Sequence, residues 1–207
     1  AVEQATPLLT ESIRLFSVTQ TVARRYAINI GAAYNYLGDI EKSRSRLETA
    51  LEMYQKALDY CDKTELYSSW IVFATNAGMT AFALQQYELA GTYFQNSYEL
   101  CLQYTISRRR PTIEAYLGLL ARIKGDIDTA VSYLESAQSH GVVEQHGQEV
   151  GRVHWAICFL KNEYPSVEVD QAFSESLATY GTIALQQLDG YGDVWERTYL
   201  TQLLQAE

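Results

Sequence analysis

An all-α fold, built as a stack of antiparallel helix pairs, is what this sequence predicts, and three observations carry it. Apolar residues recur three and four apart, as from Ala27 through Ile30, Ala33, Tyr34 and Leu37, and strict alternation nowhere persists long enough for a strand. Helix-ending residues punctuate the chain at Gly38-Asp39, Gln85-Gln86, Arg108 to Pro111, Gly125-Asp126, Gly141, Tyr164-Pro165 and Gly190 to Asp193. They divide it into about ten helices. Finally, three segments resemble one another when laid over by their glycines, which is the mark of a repeat architecture.

Taken in order, the opening ATPLLTESIRLF, from Ala5, reads as the second helix of a unit, a half repeat over 5–17, and a first full unit follows over 19–62. The repeat segments are IGAAYNYLGDIEKSRSRLETAL from Ile30, AGMTAFALQQYELAGTYFQNSY from Ala77 and LGLLARIKGDIDTAVSYLESAQ from Leu117. Each sets a glycine (Gly31, Gly78, Gly118) in a first helix, a turn seven residues on, then a second helix. In that second helix Ser43, Ala90 and Ala130 are equated, then Leu47, Phe94 and Leu134, then Ala50, Ser97 and Ala137. Small residues let two backbones approach, and the large one between fills the groove so formed. The second and third units occupy 65–104 and 111–139, and 145–188 fits as a degenerate pair with Trp155 and Ala156 on one helix and Ala172 on the next. A last helix, 193–206, is expected to cap the stack. Asp193 is its N-cap with Glu196 three residues later, and Trp195, Tyr199, Leu200, Leu203 and Leu204 form a stripe. One such pair cannot bury its own apolar face, so pairs stack and curl into a superhelix with a concave side. The first and last residues read as a fragment of a longer protein.

Composition narrows the function classes. Of 207 residues, 47% are hydrophobic and 20% charged with 3 prolines, so no stretch reads as a disordered linker. A formal charge of -9 disfavours contact with nucleic acid, whose phosphates are held by surplus Lys and Arg. Cys61, Cys101 and Cys158, each in an apolar helical stretch, suit buried reduced thiols and a cytoplasmic setting. No apolar run approaches the ~18 residues of a membrane span, and no signal peptide is present. His140, His146 and His154 are spaced six and eight apart, unsuited to the i, i+4 pairing of helical metal ligands, so no metal and no cofactor is expected. Phosphate-binding and nucleophile motifs are missing too, and the chain is read as no enzyme.

The order Leu-Gly, Tyr, Gly-Asp, Ala, Leu or Phe, Ala resembles the tetratricopeptide repeat (TPR). Gly31 to Gly78 and Gly78 to Gly118 are 47 and 40 residues, longer than the usual ~34 of that repeat. Stretched units of this kind resemble the sensor arrays of bacterial signal-transducing regulators, including ATPase-linked transcription activators and peptide-pheromone receptors. The resemblance implies a right-handed superhelical α-solenoid whose first helices line a concave groove. Carried onto this chain, the groove residues are Arg25, Asn29 and Tyr36, then Asn76, Met79 and Phe82, then Tyr116, Leu119 and Arg122, with Arg152 and Trp155 extending it. Met and aromatic surface adapts to apolar side chains, Asn amides hold peptide backbone, and Arg clamps carboxylates. Ile28 and Thr75 stand where chaperone-binding arrays carry Lys, which disfavours that partner.

Separately, Arg108, Arg109 and Arg110 before Pro111 form the densest positive charge, a docking point for an anion or an acidic partner. The function expected is a protein- or peptide-binding module in signalling or transcription regulation, with the ligand on the concave face. The alternatives are a self-association module forming a homo-oligomer, or a small-effector sensor suited to 16 tyrosines.

Overall fold

The computed structural model describes residues 2–17, 26–61, 65–144, 147–189 and 193–206. Among them are eleven helices: α1 Val2–Phe16, α2 Ala27–Ser43, α3 Leu47–Asp59, α4 Tyr67–Ala83, α5 Tyr87–Gln103, α6 Arg110–Ile123, α7 Ile127–Glu144, α8 Gly147–Glu163, α9 Val167–Ala172, α10 Leu177–Gln187 and α11 Val194–Ala206. No strand occurs among the described residues, and consecutive helices pack in adjacent pairs. No helix of the described residues is long and apolar enough to cross a membrane.

The chain forms two compact units, Ala1–Leu100 and Cys101–Glu207. In the first, α1 packs on α2, α2 pairs with α3, and α4 packs on α3. Three positions of the second helices, 40 residues apart, show why the pairs close. Ala50 and Ala90, then Tyr54 and Phe94, then Ala57 and Ser97 are wholly buried, and Ala130, Leu134 and Ala137 repeat the pattern in the second unit. Facing them are Gly38, Gly78 and Gly118. A methyl group on Gly38 would lie 2.5 Å from the Tyr54 ring, on Gly78 2.9 Å from the Phe94 ring, and on Gly118 3.0 Å from Leu134 Cγ.

This corrects the register read from the sequence. The glycine equivalent to Gly78 and Gly118 is Gly38, not Gly31, so both spacings are 40. The equivalent second-helix positions are Ala50, Ala90 and Ala130, then Tyr54, Phe94 and Leu134, then Ala57, Ser97 and Ala137. Gly38-Asp39 is no turn, because α2 continues to Ser43. Gly31 serves a different close approach: a methyl group there would lie 3.1 Å from both the Ala57 carbonyl oxygen and the Phe73 ring. Around it Ala57, Cys61 and Phe73 form a cluster with half-buried Ile28, Tyr34, Leu66 and Trp70.

The true turns repeat at the same period. Ser45 (φ 60°), Gln85 (φ 60°) and Gly125 (φ 89°) each take the left-handed conformation that ends a helix. The backbone bonds match: Arg46, Gln86 and Asp126 donate to the carbonyls of Glu41, Ala81 and Ala121 at 3.0, 2.9 and 3.0 Å. Asp126 then caps α7, its Oδ1 accepting from Thr129 N at 3.1 Å, and hydrogen bonding from the Thr129 side chain and backbone lowers its pKa.

In the second unit α6 pairs with α7, and α8 packs on both. The second half of the degenerate pair is split into α9 and α10. Ser166 and Ser176 cap them, accepting from Val169 N at 3.3 Å and Thr179 N at 3.1 Å. The break expected at Gly141 is absent, since α7 runs through to Glu144. The break at 190–192 lies outside the described residues. The three cysteines are buried thiols, and burial pushes the Cys101 thiol up to about 12.

Candidate functional site

In the first unit, the exposed face of α2 carries Asn29 and Tyr36, seven residues apart and therefore on one side of the helix. Tyr36 is 58% exposed, unusual for a large aromatic side chain. Beside it runs a hydrogen-bonded polar line. Asn76 on α4 donates through Nδ2 to Asn35 Oδ1 at 2.9 Å, and Asn35 Nδ2 approaches Asp39 Oδ2 at 3.5 Å. Tyr54 on α3 donates its hydroxyl to Asp39 Oδ1 at 2.7 Å, and the Lys42 ammonium lies 5.7 Å from the Tyr54 ring centroid. Asn35, Asp39 and Lys42 fall at i, i+4 and i+7, so one face of α2 presents two polar groups and a cation held by three helices. Neither Asn35, Asp39 nor Lys42 was singled out by sequence. The 40-residue register would have found the last two, since Asp39 and Lys42 are equivalent to Met79 and Phe82. Of the sequence-derived residues in this unit, Asn76, Met79 and Phe82 are buried, with the Phe82 ring edge-on to Tyr87 at 5.4 Å. Arg25 lies outside the described residues.

In the second unit Tyr116, Leu119, Arg152 and Trp155 are also buried, and α11 touches Tyr116, Arg152 and Trp155. Glu196, the third residue of α11, is wholly buried, accepting from the Tyr116 hydroxyl at 2.9 Å with Arg152 Nε 3.5 Å away. Its other oxygen accepts from the Asp193 backbone N–H at 3.0 Å, so the carboxylate half of the expected capping box is formed. Trp195 meets Trp155 edge-on at 4.8 Å, Trp155 stacks on Tyr116 at 5.6 Å, and Tyr199 packs on Phe159 at 5.3 Å. Arg122 is half-buried, with its guanidinium 5.3 Å from the Tyr164 ring centroid.

The electrostatics follow from burial. Desolvation raises the Glu196 pKa, the neighbouring Asp193 carboxylate raises it further, and Arg152 only partly offsets them. Desolvation likewise lifts the Tyr116 phenol well above its ordinary range, with Glu196 adding to it. Burial opposes the charge on Arg152, but the carboxylates of Glu196, Asp193 and Glu149 outweigh it, and the guanidinium stays charged.

The arginine run divides. Arg109 pairs with buried Glu149 at 3.3 Å, and that carboxylate also takes a short hydrogen bond from Thr112. Arg110 pairs with wholly buried Glu114 at 2.8 Å, where Ser136 donates at 3.0 Å and His140 Nδ1 lies at 3.0 Å. Arg109 and Arg110 are therefore counter-ions of carboxylates that α6 and α8 bury. Arg108 is exposed, and with Gln148, Gln186, Gln187 and Asp189 it lines an open cleft of about 480 Å³. His154 bonds the Val150 carbonyl at 2.8 Å, and burial lowers its pKa; His146 lies outside the described residues. No group of three or more His, Cys, Asp and Glu side chains placed to hold a metal occurs among the described residues.

The architecture defines an all-α helical-repeat protein of the TPR-like kind, with pairs repeating every 40 residues. Among solved structures it is similar to BtubC (BKLC) from P. vanneervenii, with a TM-score of 0.61 and 13% identity, covering 100% of this chain and 90% of that one. It is also similar to the pilF protein of Pseudomonas aeruginosa, with a TM-score of 0.50 and 17% identity over 99% of this chain and 90% of that one. No family model matches the chain, and no curated protein matches it in sequence. At these identities the likeness establishes the fold.

Proposed function

We propose that the chain is a protein- or peptide-binding repeat module, serving as the sensor or scaffold part of a regulatory protein. One observation carries the reading: Tyr36 stands largely in solvent on α2, directly beside the Asn35–Asp39–Tyr54 hydrogen-bonded line. The equivalent position two repeats on, Tyr116, is filled in this same molecule by a packed helix bearing a carboxylate. An exposed aromatic face offers area to an apolar side chain, while the neighbouring fixed carboxylate orients an amide or ammonium group of the ligand. Burying the exposed ring is worth about 1.5–3 kcal/mol, or roughly 10- to 100-fold in affinity. Because each pair touches mainly its neighbours, a ligand spanning two pairs biases their curvature, which supplies a signal to any attached domain.

Short peptides selected on the purified chain should bind Tyr36→Ala and Asp39→Asn at least tenfold more weakly. Selected peptides that bind both variants as well as the parent chain would remove α2 from the site. A second reading, self-association, is favoured by α1, where Leu8 and Leu15 are 72% and 52% exposed and seven residues apart. Light scattering on Leu8→Glu/Leu15→Glu decides it: an oligomer that falls to a monomer supports self-association, and an unchanged mass removes it.

A further inference from the structure

One side of α6 and α8 is occupied by the chain's own α11, and this occupant fits imperfectly. The helix buries few of its own residues. Of its residues only Glu196 and Leu200 are buried, with Asp193 just ahead of them, whereas Thr112 to Leu120 of α6 are buried without interruption. Its anchoring charge is also poorly met. The Arg152 side chain is 5% exposed, yet its Nε reaches Glu196 only at 3.5 Å, without hydrogen-bond geometry. Among the described residues neither Nε nor Nη1 of Arg152 has an acceptor, nor does Nε1 of the neighbouring Trp155. An arginine fork is made for two parallel bonds to one carboxylate at about 2.7–2.9 Å. The resident glutamate, drawn toward the Tyr116 hydroxyl and its own helix start, does not supply them.

We infer that the Tyr116–Arg152–Trp155 face is a receptor surface for an acidic, aromatic helical segment of a partner protein, and that α11 is a resident stand-in which such a segment displaces. The inference rests on the binding-module reading above. The chemistry wanted is written in α11 itself: a carboxylate one residue past an aromatic, Trp195-Glu196, with a second aromatic, Tyr199, one turn on. The partner carries that pattern but brings its carboxylate within bonding distance of the Arg152 Nε, the donor that the resident glutamate approaches without bonding. Displacement competes with a tethered helix, so the partner must overcome an effective concentration in the millimolar range. A terminal helix with few buried residues opens at lower cost than α6, which is buried from Pro111 to Leu120.

The test uses the full chain and a labelled synthetic peptide, DVWERTYLTQLLQA, the sequence of residues 193–206, read by fluorescence anisotropy. Glu196→Gln in the chain loosens the resident and should tighten peptide binding at least tenfold over the parent chain. Adding Arg152→Met, or replacing the peptide's glutamate by glutamine, should weaken it at least tenfold again. If Arg152→Met lowers the helical circular dichroism, Tyr116→Phe takes its place, and a several-fold loss is expected. Three results overturn the inference: no saturable binding to folded Glu196→Gln chain, binding indifferent to the peptide's glutamate, or dimerisation of Glu196→Gln without peptide uptake. The last makes a second copy the occupant. Peptides selected through Tyr36 should still bind when α11 cannot be displaced, so failure here and failure of the binding-module reading are separable.

Discussion

Replacing Gly38 by alanine tests the repeat register and the packing that produces it. A methyl group there would lie 2.5, 2.7 and 2.9 Å from Cε1, Cδ1 and Cζ of Tyr54. The ring cannot swing away freely, because Tyr54 is wholly buried and its hydroxyl is fixed on Asp39 at 2.7 Å. Overpacking of this kind costs about 1–3 kcal/mol. Tilting the ring far enough to break the Asp39 bond adds about 1 kcal/mol. Against these, alanine in a helix interior gains about 1 kcal/mol over glycine. The expected net is a destabilisation of about 1–3 kcal/mol, read as a lower urea midpoint at unchanged slope. A control distinguishes collision from any other cause. In the third repeat the partner is Leu134, 3.0 Å from the equivalent methyl position on Gly118. In a Tyr54→Leu background the cost of Gly38→Ala should therefore shrink by about 1 kcal/mol or more, a coupling typical of residues in contact. If Gly38→Ala raises the midpoint, the helix-propensity gain has won, and the assignment of Gly38 as the close-approach glycine is refuted.

Two further predictions concern the turns and the buried acid. Ser45→Gly and Gln85→Gly should each stabilise by about 0.5–1 kcal/mol, because both residues sit at φ 60° where a Cβ is strained; a lower melting midpoint in either would contradict this. Glu196, facing Asp193, Arg152 and Tyr116, holds its proton more tightly folded than unfolded, so its contribution to stability is complete below about pH 4.3 and is lost as pH rises through its raised folded value. Stability measured for the parent chain minus that for Glu196→Gln should accordingly fall with rising pH in that window, and a flat or rising difference would overturn the assignment.

The helix pattern was legible because it is local. Apolar residues three and four apart mark the chain as helical, and the N-cap of α11 could be read from Asp193 and Glu196 alone. The register was harder, for a physical reason. Gly31 and Gly38 are two turns apart on one helix and so lie on the same side, and both are used: one against the Ala57 carbonyl, the other against the Tyr54 ring. Sequence spacing does not say which glycine meets the aromatic of the next helix. The 40-residue recurrence of Ala50, Ala90 and Ala130 was nevertheless present and would have settled it.

By itself, then, the sequence determined an all-helical chain of paired repeats and the start of the last helix, since each depends on residues within a turn or two of one another. The tertiary structure decided which first-helix residues stay open. Tyr36 and Tyr116 occupy equivalent repeat positions, yet one is 58% exposed and the other is buried beneath Glu196 from 80 residues further along the chain. The fate of Arg109 and Arg110, bound to Glu149 and Glu114, was decided the same way. Accessibility depends on what distant segments place over a surface, and no local spacing encodes that.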